Sequence, residues 1–181
     1  VLEKMNRPYT AAFFRELLIN IHETIPDAAI GVDTLIGFPG ESDAAFENTY
    51  TILKESPAAY LHVFPFSPRK GTPAAEYPNK VPSERIKTRS RKMRELGIIM
   101  RKNFYKKFMG ETLNALIEEK RDRKTGLLKG ITSNYIPVLT DGSDSLKNSI
   151  VNVRIREMHD EKSTKGELLK DQIRNISEER K

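Results

Sequence analysis

Between two segments of helical spacing runs a stretch of apolar and β-branched residues, Ala28-Ala29-Ile30-Gly31-Val32-Asp33-Thr34-Leu35-Ile36-Gly37-Phe38, broken by a single charge at Asp33. Side chains alternate from face to face along a strand, so a continuous apolar run puts apolar groups on both faces. Such a strand is expected in a parallel sheet covered on both sides, not in a half-solvated antiparallel one.

The flanks agree with that reading. Thr10 is placed to cap a helix running to about Thr24, with Phe13, Phe14, Leu17, Leu18, Ile21 and Ile25 on one apolar face and Pro26-Asp27 ending it. Pro39-Gly40-Glu41 reads as a turn, and Ser42 caps a second helix that buries Phe46, Tyr50 and Leu53 before Ser56-Pro57 ends it. Tyr60 to Phe66 reads as a second strand, followed by a loop bearing Pro65, Pro68, Gly71 and Pro73. From Ser83 to about Met109 the spacing is helical again, with Ile86, Met93, Leu96, Met100, Phe104 and Phe108 as the apolar stripe. Helices alternating with strands predict right-handed βαβ units with parallel strands. Two strands and three helices do not complete an α/β domain, so both strands are expected to need further neighbours.

After Gly110 the pattern changes. Residues 111–120, 126–131, 135–140 and 149–157 read as short strands separated by turn signals such as Asp122-Arg123-Lys124-Thr125-Gly126 and Asp141-Gly142-Ser143-Asp144. The expectation is an α/β part over residues 1–109, a small antiparallel all-β barrel over 110–158, and a charged tail over 159–181, solvated as a helix or frayed.

Composition excludes several chemistries. The chain of 181 residues has no cysteine, which removes disulfides, thiolate zinc sites, a cysteine nucleophile and any cysteine-ligated iron–sulfur cluster held by this chain itself. His22, His62 and His159 are far apart and form no metal-ligand spacing, so no metal site is expected. No apolar run approaches the ~18 residues of a membrane span, which predicts no membrane association. The polar opening Val1-Leu2-Glu3-Lys4-Met5-Asn6-Arg7 carries no signal peptide and does not begin with Met; the expectation is an interior cut from a longer, cytoplasmic chain. Charge is uneven: Lys80 to Lys107 holds eleven Lys or Arg against two Glu, a net of +9, whereas the whole chain is +6. A basic block in an otherwise slightly acidic chain has two readings, a polyanion-binding surface or a solvated helix face.

Three places can carry chemistry. Gly37-Phe38-Pro39-Gly40-Glu41-Ser42 follows the first strand and opens a helix. This is either a ligand loop at the carboxyl end of a strand or a tight βα turn with Ser42 as cap, and it is not a Walker loop. Asp33 is a lone carboxylate in an apolar strand, so it must be paired, with Arg7 as one partner, or face a cavity. His62 has the same choice, with a structural role favoured. Arg69 and Lys70, in the loop after the second strand, can hold phosphate or carboxylate, or sit on a surface turn stiffened by prolines.

Taken in order, Met5-Asn6-Arg7-Pro8-Tyr9-Thr10, Asp33-Thr34-Leu35-Ile36-Gly37-Phe38-Pro39-Gly40-Glu41 and Phe66-Ser67-Pro68-Arg69-Lys70-Gly71-Thr72-Pro73-Ala74-Ala75 resemble the second half of the radical S-adenosylmethionine (SAM) methylthiotransferases. Residues from about Phe108 to Met158, including Gly130-Ile131-Thr132-Ser133-Asn134-Tyr135-Ile136-Pro137-Val138, resemble their C-terminal TRAM domain. Leu61-His62-Val63-Phe64-Pro65-Phe66-Ser67 resembles the branch acting on N6-threonylcarbamoyladenosine in tRNA. The resemblance implies the last two strands of a partial (β/α)6 radical SAM barrel followed by a TRAM-like barrel, in an enzyme that adds a methylthio group to a tRNA nucleoside beside the anticodon. It implies SAM and 4Fe–4S clusters as cofactors, with tRNA, a missing N-terminal half and an unidentified sulfur donor as partners.

By the same resemblance Arg7, Asp33 and the backbone of Gly37, Phe38, Pro39 and Gly40 are expected at SAM, and Arg69 and Lys70 nearer the substrate. The family's Cys-x3-Cys-x2-Cys set is absent, so this chain alone is expected to be inactive and to contribute no catalytic residue. The basic helix leads into the barrel, and Arg89, Lys92 and Arg101 are expected to contact tRNA phosphates. Tyr135, on a barrel strand, is either a base-stacking residue or core. Two other readings stand beside this one: a self-standing RNA-binding module with an α/β scaffold, and an α/β enzyme using Asp33 and Arg69, which lacks a nearby nucleophile or general base.

Overall fold

The computed structural model describes residues 1–169. The chain divides into two compact units, Val1–Met100 and Arg101–Lys181.

In the first unit, α1 (Ala11–Thr24) starts where Thr10 Oγ1 accepts a hydrogen bond from Phe13 N–H at 3.1 Å. β1 (Gly31–Ile36) leads through a turn to α2 (Asp43–Glu55), where Ser42 Oγ accepts from Ala45 N–H at 3.1 Å. β2 (Tyr60–Pro65) pairs with β1 in parallel, from Gly31 opposite Tyr60 to Ile36 opposite Pro65. A single turn of helix, α3 (Pro73–Glu76), precedes α4 (Ser83–Lys106), whose residues from Arg101 onward belong to the second unit. Val32, Ile36 and Leu61 of the sheet pack with Leu18, Phe46, Leu53, Met93, Leu96 and Met100 of the helices into one core. Burial of each such side chain is worth about 1.5–3 kcal/mol, which holds a sheet of only two strands in place.

That core lies on one face of the sheet. Along β1 exposed Gly31 and Asp33 alternate with buried Val32, Thr34 and Ile36, and His62 and Phe64 of β2 are exposed beside them. The expectation of a strand covered on both faces is therefore corrected: parallel pairing holds, but the described residues cover one face. Helix α1 shows the same shortfall. Leu18 is buried and Phe14 packs on the core, whereas Phe13, Leu17 and Ile25 of the predicted apolar face are exposed.

The second unit is a closed barrel of five strands in the order β3-β4-β5-β7-β6, with β6 returning to pair with β3. Its strands are β3 (Thr112–Ile117), β4 (Leu128–Thr132), β5 (Pro137–Thr140), β6 (Ile150–Met158) and β7 (Thr164–Leu168). Ala115, Ile117, Leu128, Val138, Val151, Val153 and Ile155 fill the interior. Two expectations change. The stretch after residue 159 is not all tail, because Thr164–Leu168 is the fifth strand; residues 170–181 of that tail lie outside the described residues. The barrel is also not purely antiparallel, since β7 runs parallel to β5 and antiparallel to β6. Gly166 makes the insertion possible: a Cβ there would come within 2.4 Å of Val153 Cγ1.

Candidate functional site

The uncovered face of the first unit's sheet carries Tyr60, Asp33, His62, Leu35 and Phe64. Asp33 and His62 are register partners on adjacent strands, and the His62 ring meets Tyr60 edge-on at 5.2 Å. A cavity of about 420 Å³ is lined by Val32 and Thr34 from one face of β1, by Asp33 and Leu35 from the other, and by Arg7, Phe14 and Glu41. A space that touches both faces of one strand wraps its edge, so this groove follows the free edge of β1. Arg7 and Asp33 share the groove without closing an ion pair. Asp33 is not the buried carboxylate expected of an apolar strand: its side chain faces solvent and so needs no buried partner.

The turn after β1 is held from within. Gly37 and Gly40 have φ of +84° and +88°, and Phe38 and Pro39 are buried. Phe38 meets Phe66 and Tyr77 edge-on at 5.5 and 6.0 Å. Gly37 N–H donates to Glu41 Oε2 at 2.9 Å, and a Cβ on Gly37 would fall 2.3 Å from Ile86 Cγ1. The Gly37–Gly40 backbone does not line the groove, and the amide of Gly37 is already spent; the expectation of a ligand-cradling loop gives way, for these residues, to a tightly packed βα turn.

The partner that anchors this turn comes from the basic helix. Arg89 is 4% exposed; its Nη1 donates to the Glu41 carbonyl at 3.0 Å and to Glu41 Oε2 at 2.6 Å, and its Nη2 donates to Asp43 Oδ1 at 2.6 Å. Burial pulls the Arg89 guanidinium down, but the hydrogen bonds to Asp43 and Glu41 outweigh it and hold the charge above its ordinary range. The same bond from Arg89, with the charge of Arg85, holds the Asp43 carboxyl below the usual carboxylate range. Arg89 is thus corrected from an RNA contact to a buried tie. Lys92 is half committed: its Nζ lies 2.7 Å from Glu47 Oε1 and 4.5 Å above the Tyr50 ring. Arg101 is half-buried and engaged in an interaction of its own.

Arg69 and Lys70 are exposed in the loop after β2, where the Arg69 carbonyl accepts from Thr72 N–H and Oγ1 at 3.1 and 2.8 Å. Helix α4 also leaves to solvent cations that the sequence does not single out: Lys87, Arg91 and Arg94 are exposed at i, i+4 and i+7, with no ion pair among the described residues. Helical spacing alone would have picked them out.

Tyr135 is neither core nor on a strand. It stands in the turn joining β4 to β5, 71% exposed, with φ of 61°. Among the described residues no group of three metal-ligating side chains occurs and no helix is long and apolar enough to cross a membrane.

No protein-family profile matches the chain. It is 34% identical over 155 residues to the tRNA-2-methylthio-N(6)-dimethylallyladenosine synthase of Protochlamydia amoebophila, covering 86% of this chain and 34% of that protein. It is 34% identical over 157 residues to the threonylcarbamoyladenosine tRNA methylthiotransferase MtaB of Bacillus subtilis, covering 86% of this chain and 35% of that protein. With the MtaB protein of Aquifex aeolicus it shares 37% over 142 residues, 78% of this chain and 33% of that protein. The chain spans about a third of the length of these curated relatives.

Proposed function

Because this chain belongs to the radical SAM tRNA methylthiotransferase family, we propose that it is the carboxy-terminal part of an enzyme that methylthiolates N6-threonylcarbamoyladenosine in tRNA. One observation carries the reading: a parallel pair of strands with helices on one face, an uncovered face bearing Asp33 and His62, and an open groove along β1 are what the end of a (β/α) barrel looks like without its preceding strands. An upstream segment would pair with β1, cover Phe13 and Leu17 and turn the uncovered face into a barrel interior. The 37% identity to an MtaB protein and the β2 stretch Leu61–Ser67 support the threonylcarbamoyl branch.

The residues assigned to SAM do not form a pocket in this chain alone. Arg7 and Asp33 share an open groove, and Gly37 to Pro39 are packed away from it. With no cysteine, the chain supplies no thiolate ligand for an iron–sulfur cluster, so SAM cleavage would fall to the upstream segment and this chain would be inactive by itself. Its own contribution would be the barrel wall and a tRNA surface, with Lys87, Arg91 and Arg94 on phosphates. A tRNA substrate supports a cytoplasmic location.

Mass spectrometry of nucleosides from tRNA treated with this chain, alone and joined to a cluster-bearing upstream segment, tests the proposal. Methylthiolated threonylcarbamoyladenosine from the joined protein only is the expected result. Product from the chain alone overturns its inactivity, and product on dimethylallyladenosine instead overturns the nucleoside.

A further inference from the structure

The β4–β5 connection carries a residue its geometry does not favour. Thr132 N–H donates to the Ile136 carbonyl at 3.0 Å, which leaves Ser133, Asn134 and Tyr135 as a three-residue hairpin loop. Tyr135 N–H donates to the Thr132 carbonyl at 2.9 Å, and Ile136 N–H donates to Thr132 Oγ1 at 2.9 Å. The loop is over-determined, and its third residue is forced into the left-handed region. Glycine or asparagine normally stands there, because a bulky side chain is disfavoured at positive φ. This chain has a tyrosine at φ 61°, and burial does not repay it: the ring is 71% exposed, and no aromatic ring among the described residues packs on it.

The neighbouring surface is mixed: the outer face of β3 and β6 carries Thr112, Asn114, Asn152 and Arg154, and next along it the exposed Leu116 and Ile150 lie opposite each other. Ser133 N–H donates to the Asn114 carbonyl at 3.2 Å, which sets the loop beside β3. Leu113, Ala115 and Ile117 point into the barrel, so the Thr112 and Asn114 side chains lie on its outer face. Asn114 is opposite Asn152, and Thr112 is opposite Arg154. Arg154 Nε is buried without a hydrogen-bond partner, and Glu167, opposite Arg154 on β7, is paired with Arg156. An exposed ring, with an amide and a cation on the adjoining strands, offers an unpaired nucleotide a π-face contact, a base-edge partner and a phosphate partner.

We propose that Tyr135 is a stacking platform for an unpaired RNA base, with Asn114 and Arg154 beside it for the base edge and the phosphate. The inference rests on the RNA reading above and adds the residue that recognises single-stranded character. A residue kept in a strained conformation for stability would make the protein less stable when removed; one kept for binding does the opposite.

The test measures thermal unfolding and binding of the full chain to two labelled RNAs, a stem–loop with an unpaired adenosine-containing loop and a duplex of equal length. Tyr135→Gly is expected to raise Tm and to weaken stem–loop binding about tenfold, with little change for the duplex. Tyr135→Phe keeps the ring and should bind within about twofold of the parent. Arg154→Gln should lower the slope of log K against log salt by about one, and Tyr135→Gly should leave that slope unchanged. A parent chain that binds the stem–loop, with Tyr135→Gly binding it equally well, overturns the stacking proposal alone. A parent chain that binds neither RNA overturns the RNA reading and the platform with it.

Discussion

Arg89 Nη1 lies 2.6 Å from Glu41 Oε2, 48 residues away in sequence, and both side chains are buried. Glu41 in turn holds Gly37 N–H, so the basic helix is bolted to the turn after β1 by one carboxylate. Removing one partner of such a pair strands the other as a buried charge. Arg89→Ala is expected to destabilise the first unit by about 3–5 kcal/mol, whereas Arg91→Ala, on the exposed face, should fall within about 0.5 kcal/mol. Urea unfolding of the two variants checks this. Equal stabilities would mean that the pair contributes nothing net.

The pH dependence of that tie has a defined sign. Asp43 is a carboxyl whose folded pKa is held below its ordinary value, first by the hydrogen bond from Arg89 and then by the charge of Arg85. Its stabilisation is complete above the unfolded value of about 3.9 and is lost as pH falls through the lower folded value. The stability gap between the parent and Asp43→Asn should therefore be present at neutral pH and close as pH falls below the unfolded carboxylate value. Melting curves across that range, read as the difference between the two proteins, would contradict this if the gap stayed constant.

At Gly37 two constraints coincide, a φ of +84° and a would-be Cβ 2.3 Å from Ile86 Cγ1. Gly37→Ala should cost more than about 1 kcal/mol. The steric part is separable: in an Ile86→Ala background the same change should cost less, because only the backbone strain remains. A double-mutant cycle with no coupling would show that Ile86 is not what the glycine accommodates.

Ending the chain after Met158, where the composition first turns mostly polar, should open the barrel. Without Thr164–Leu168 both β5 and β6 lose a partner and expose unpaired backbone. Circular dichroism and size-exclusion chromatography of the shortened chain should show loss of cooperative melting and self-association. A monomer with an unchanged Tm would mean that four strands suffice.

Local chemistry was legible in the sequence where one residue decides the outcome. Thr10 and Ser42 cap the helices assigned to them, and the parallel pairing follows from the apolar run around Val32 and Leu35. Residues whose role depends on distant partners were not. In a helix carrying eleven basic residues within and around it, Arg89 looks like any other cation until Glu41 is found against it. The strand at Thr164–Leu168 was hidden because Lys165 and Glu167 read as solvated charge; half of a barrel strand's side chains face water, and five residues are too few for alternation to stand out. Tyr135 reads as a strand residue because aromatic residues favour strands, and nothing local announces a tyrosine where a hairpin loop favours glycine.

The position of β7 between β5 and β6 bears on how the protein is made. Every other barrel strand emerges from the ribosome before it, yet neither β5 nor β6 has its full set of neighbours until residue 168 is free to insert. The nascent barrel therefore waits, gapped, for its last-synthesised strand, and that gap is the interval in which a chaperone or a second nascent chain can reach it.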